Sequence, residues 1–108
     1  MKKSVQIGAI ASVVLAAAIA FPVPAPAAVT VTAGMPINVF ADPSDFVAEL
    51  DTAGACGSKY FHIQRANANF KEMTAVALTA FSTSKKLTFF VVSCAGDRNI
   101  VSHGYASR

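Results

Sequence analysis

Two histidines, two cysteines and six carboxylates are the side chains of greatest chemical reach in this 108-residue sequence. His62 and His103 have no Cys or carboxylate at metal-ligand spacing in the sequence, and each falls in the middle of a strand in the reading below, so no metal is assigned. Ser102-His103 and Cys56-Gly57-Ser58 set nucleophile-type residues beside one another, but neither stands in the Gly-x-Ser-x-Gly frame of a nucleophile turn. Asp42, Asp45, Glu49, Asp51, Glu72 and Asp97 are scattered over turns and strands, as solubilising charges are, rather than gathered as a general acid and base. No catalytic residue and no cofactor is expected, and the chain does not read as an enzyme. Recognition chemistry remains. Asp97, Arg98 and Asn99 bring planar hydrogen-bonding groups into one turn, and Tyr60 or Tyr105 offers an aromatic face, the combination a glycan site needs. The plainer reading, a turn that is polar because turns are polar, stays open.

The elements that must position these groups centre on residues 69–94. Asn69-Phe70-Lys71-Glu72 has the form of a capping box, which predicts a helix starting near Phe70. At 100° per residue, Phe70, Met73, Val76, Ala77, Ala80 and Phe81 share one side and Lys71, Glu72, Thr79, Ser82 and Thr83 the other. Ser82-Thr83-Ser84 ends the helix, because consecutive hydroxyls compete for backbone hydrogen bonds. The following run, residues 86–92, is β-branched and aromatic with apolar side chains on both faces, which predicts a strand covered on both sides.

Upstream, Val29-Thr30-Val31-Thr32 alternates, breaks at Gly34-Met35-Pro36 and resumes at Ile37-Asn38-Val39-Phe40, which predicts one long bent strand or two short ones. Asp42-Pro43-Ser44 is a turn; residues 46–50 and 59–64 are strands; a turn at 95–99 leads to a closing strand at 100–106. The resulting order is β-β-β-α-β-β, the order of an OB-fold, a five-stranded barrel with one helix, mainly β in an α+β class.

Met1-Lys2-Lys3, the apolar run 7–21 and the small residues of Ala25-Pro26-Ala27 read as a signal peptide, residues 1–27, cleaved after Ala27. The run is shorter than the roughly 20 residues a membrane-spanning helix needs, so no membrane insertion is expected once it is removed; a retained anchor is the alternative. No Cys precedes Cys56, which leaves out the lipid attachment of exported lipoproteins. The product is expected in the periplasm or secreted, as a single domain over residues 28–108. Without Lys2 and Lys3 the basic excess shrinks to about +1, which argues against nucleic acid as partner even though Lys59, Tyr60, Phe61 and Arg65 superficially fit a basic and aromatic groove. A domain of this size needs a staple or a partner subunit. Cys56 and Cys94, an even pair in an exported chain, are the predicted staple; closing their loop is worth about 4 kcal/mol.

From Lys59 to Ala106 the succession is a strand holding Tyr60-Phe61, an Arg/Asn linker, a helix, a Ser/Thr turn with Lys85-Lys86, an apolar strand ending in Cys94, a Gly-containing turn and a final strand. That half of the mature chain resembles the receptor-binding B subunits of AB5 bacterial toxins, of the Shiga and subtilase-cytotoxin types; the block that starts at Cys56-Gly57-Ser58 also resembles small exported bacterial proteins. The toxin resemblance implies a non-catalytic, glycan-binding barrel, assembly into a homo-oligomeric ring, and a toxin-like A subunit as partner. It assigns no sugar-contacting residue, since the chain has no Trp and its first cysteine precedes the third strand. The rival expectation is a small periplasmic protein that binds or inhibits another protein.

Overall fold

Chain direction changes sheet edge at a single residue, Met35. The structure, a computed structural model, describes residues 29–108; the predicted signal peptide, 1–27, lies outside the described residues. Strands β1 (Thr30–Gly34) and β2 (Pro36–Ala41) are separated only by Met35, yet they stand at opposite ends of one six-stranded sheet. Between them come β5 (Lys86–Ala95), β6 (Arg98–Ser107), β4 (Tyr60–Gln64) and β3 (Asp45–Leu50), in the order β1-β5-β6-β4-β3-β2. Neighbours are antiparallel except β4 and β6, which run parallel. The helix α1 (Phe70–Thr83) joins β4 to β5.

The predicted class, mainly β with one helix, holds. The predicted closed five-stranded barrel does not: there are six strands, and no ladder joins β1 to β2. The cause is local. Pro36 has no amide hydrogen, and Met35 spends both backbone groups on Asp51, donating to its carboxylate at 2.9 Å and accepting from its amide at 3.0 Å. The first strand is thereby cut in two.

Alternation along the strands defines the core. Phe46, Ala48 and Leu50 of β3, Phe61 and Ile63 of β4, Leu87, Phe89 and Val91 of β5, and Val101 of β6 turn to the inner face and meet Met73, Ala77 and Ala80 of α1. Phe61 and Phe89 stack with centroids 5.2 Å apart although β6 lies between their strands. Two strand spacings in a flat sheet would be about 9.6 Å, so the sheet curls around these rings.

Phe81, predicted on the buried side of the helix, is 40% exposed. It sits at the rim of the buried arc, about 80° from Met73. The capping box is not formed either: the Asn69 side chain makes no cap bond and instead donates to the Ser102 carbonyl at 3.0 Å. The register of β5 against β6 passes from Phe90–His103 to Val91–Val101, leaving Ser102 unpaired in a bulge. Asn69 and Asn67, whose amide donates to the Val101 carbonyl at 3.1 Å, satisfy the acceptors freed there. The helix ends at Ser84 in the left-handed region, with the Lys85 amide returning to Ala80 at 2.9 Å.

On the outer face of β5, Thr88 is buried while Phe90 and Val92 are half-buried. Phe90 lies parallel to the His103 ring, centroids 4.2 Å apart, and 6.4 Å from Tyr105. The predicted turn at 95–99 is tighter than its span: Ala95 already pairs with Arg98, and the two-residue link is Gly96-Asp97. Gly96 holds φ 65°, where a side chain would be strained.

Candidate functional site

On the outer face of β2, β3 and β4, register places Phe40 beside Val47 and Val47 beside His62. Val47 is fully buried in this row, and a cleft of about 260 Å³ opens on the same face. Phe40, Asp42, Ser58, Tyr60, His62, Asp97 and Arg98 line it. Phe40 and Tyr60 form an edge-to-face pair with centroids 6.2 Å apart, each roughly two-fifths exposed.

One wall is the turn between β2 and β3. Asp42 there accepts through Oδ1 from the amides of Ser44 at 2.9 Å and Asp45 at 2.6 Å and from the Ser44 hydroxyl at 3.2 Å. The Asp45 amide, then the Ser44 amide, hold the Asp42 carboxyl below the usual carboxylate range. With the folded-state pKa depressed, the stabilisation these bonds give is complete above the unfolded-state value and is lost as pH falls through the folded-state one. Carbon-detected NMR titration of Asp42 is expected to give a midpoint below that of an ordinary aspartate. Asp42→Asn, which keeps the acceptor, should remove this component of the acid response while the turn survives; a midpoint at or above the ordinary value would contradict the assignment.

The floor is His62. Its Nδ1 lies 2.9 Å from Oδ2 of Asp45, both residues buried. The sequence hides this carboxylate partner, which arrives through the pairing of β3 with β4. With Asp42, the pair brings three possible ligand atoms within 4.8 Å. Nδ1 of His62 and Oδ2 of Asp45 are spent on one another, and Oδ1 of Asp42 is already used by its turn.

The opposite wall is the loop from β3 to β4, tied down twice. Cys56 and Cys94 form the predicted disulfide, with Cα atoms 5.5 Å apart. Asn99 does the rest: its amide donates to the carbonyls of Ser58 and Tyr60, each at 2.9 Å, and its oxygen accepts from the Cys56 amide at 3.0 Å.

Of the four residues predicted to contact ligand, Tyr60, Asp97 and Arg98 therefore meet in one cleft. Asn99 does not. It faces inward, is 0% exposed and spends its hydrogen bonds on the loop. Tyr105, the alternative aromatic face, belongs to the Phe90 cluster. Sequence reasoning missed Phe40, Asp42, Ser58 and His62 as cleft residues; only Asp42 carried a signal, as part of a recognisable turn. A second cavity, about 140 Å³ beside the disulfide, offers only Thr30 and Ser93 hydroxyls among apolar groups. Among the described residues no helix is long and apolar enough to cross a membrane. No family model, no curated protein and no solved structure matches this chain.

Proposed function

We propose that this protein is an exported, non-catalytic binding module that takes a glycan in the cleft of Tyr60, Asp97 and Arg98. The observation that carries the reading is the cleft's composition: two half-exposed rings flanked by planar polar groups, an apolar face for a pyranose and hydrogen-bonding partners for its hydroxyls. Topology supports it. Counting β1 and β2 as one strand bent at Met35 gives five strands with the helix between the third and fourth and a parallel pair between the third and last, the OB-like arrangement used for oligosaccharides. Against catalysis stands Ser58, the cleft's one hydroxyl of nucleophile type, whose contacts are the Tyr60 backbone and Asn99 rather than His62.

A glycan array probed with residues 28–108 tests the reading, beside Tyr60→Ala and Arg98→Ala. Both side chains are solvent-accessible, so each variant should fold and lose roughly tenfold or more in binding. Silence of the folded protein across the array turns the reading to its rival, a module that binds or inhibits another protein.

Weak single sites in this reading gain avidity from a homo-oligomeric ring, docked to a toxin-like A subunit. Light scattering behind a sizing column should report a multimer at tens of micromolar; a strict monomer overturns the ring.

A further inference from the structure

We propose that Ala28 continues β1 along the free edge of β5 and puts its methyl group into the cavity beside the disulfide, so that the chain's own amino-terminal segment closes this side of the domain. The inference stands on strand register and cavity lining, independently of the glycan reading.

β5 outruns its partner. The β1 ladder begins with Thr30 opposite Val91, whereas β5 runs on to Ala95, and among the described residues nothing pairs with residues 92–95 on that side. Carried backward one step at a time, the same antiparallel register sets Val29 opposite Val92 and Ala28 opposite Ser93. Alternation then fixes the side. Val29 and Val31 are each more than half exposed, while Thr30 between them stands opposite the buried Val91 and turns inward. Ala28, two residues before Thr30, falls on the inward side with it.

The cavity lies on that side. Its volume is about 140 Å³, and it is lined by Thr30, by residues 91–94 of β5 and by Ala55 and Cys56 of the loop from β3 to β4. Such a space takes a guest of roughly benzene size, enough for a small residue and its peptide group. Oγ1 of Thr30 is buried and has no hydrogen-bond partner among the described residues. An orphaned hydroxyl in an apolar lining calls for a guest that carries polar atoms beside a small apolar group. A hydrocarbon brings no polar atom; an alanine brings a methyl group together with a peptide N–H and C=O. Tethering selects among such guests. Ala28 is bonded to Val29, so it reaches the cavity without the entropy cost of capturing a second molecule. The loop it meets there is the one that carries Ser58 into the cleft, so the seated segment braces a cleft wall from behind.

Solution NMR of the exported, purified protein with alanine and valine methyls labelled tests the proposal, and its intact mass identifies the first residue. The Ala28 methyl should show contacts with the methyls of Ala55 and Val91. In a chain shortened to begin at Val29, an amide among residues 92–94 should exchange roughly tenfold faster, the worth of one ladder hydrogen bond. Ala28→Asp, which would put a charge into an apolar cavity, should do the same while the β3–β4 ladder keeps its exchange rates. An Ala28 methyl without these contacts, exchange unchanged by both variants, or a purified chain that starts beyond Ala28 overturns the proposal. Contacts that appear only between differently labelled molecules give the cavity to a second copy and overturn it as well.

Discussion

Loss of the Cys56–Cys94 bond, by Cys56→Ser with Cys94→Ser, is expected to cost about 4 kcal/mol, on the order of 20 °C in Tm. The bond spans 38 residues, and that loop contains β4, α1 and most of β5. Cutting it returns a large entropy to the unfolded chain of a domain whose core is small. Thermal melts of the double variant beside the oxidised parent measure the effect. A shift of only a few degrees would mean that Asn99 and the ladders hold the loop unaided.

Asn99→Ala is expected to cost about 3 kcal/mol or more, far beyond what a ligand-contacting surface residue would. Truncation strands the Cys56 amide and takes one donor from each of the Ser58 and Tyr60 carbonyls, which keep only the Gly54 amide and the Ser58 hydroxyl, beside a new void. Gly54 is pressed so close to this side chain that a Cβ there would run into the Asn99 amide, so Gly54→Ala should damage the same place. Asn99→Asp separates shape from hydrogen bonding, since a carboxylate can still accept from Cys56 but cannot donate to either carbonyl. Urea denaturation of the three variants decides the matter. A stability change within about 0.5 kcal/mol for Asn99→Ala would return this residue to the list of ligand contacts.

Local patterns were readable from the chain. The helix from Phe70 to Thr83, the strands from Asp45, Tyr60 and Lys86, the closing strand from Ile100 on, and the cysteine pairing all follow from periodicity, turn residues and an even thiol count. What escaped depends on residues far apart in sequence. The break at Gly34-Met35-Pro36 was legible, but not that its two halves stand at opposite ends of the sheet or that Asp51 holds the link. The Asp45 carboxylate meets His62 only through the β3–β4 register. Asn99 looks like one more polar turn residue until the strand's alternation turns it inward, onto the carbonyls of another loop. Asn69 carries a capping signature, but the bulge at Ser102 offers its side chain a competing acceptor. Tyr60, Asp97 and Arg98 line one cleft because one hairpin turn sits beside the start of β4; the aromatic partner Phe40 comes from a strand whose ring gave no hint of its neighbour.

The single-residue link at Met35 also divides the domain in time. β2 closes a short hairpin onto β3 through Ala41 and Phe46, and β4 continues that meander, so these strands can assemble from local contacts. β1 cannot. Its ladder runs from Thr30 with Val91 to Gly34 with Leu87, so it waits for the helix and β5 to exist. Two adjacent stretches of chain therefore belong to an early and a late folding unit, and the first strand made is among the last to find its partner. Until it docks, the edge of β5 carrying Leu87, Phe89 and Val91 stays unpaired, and that interval is when the chain is most open to pairing with a neighbour of its own kind.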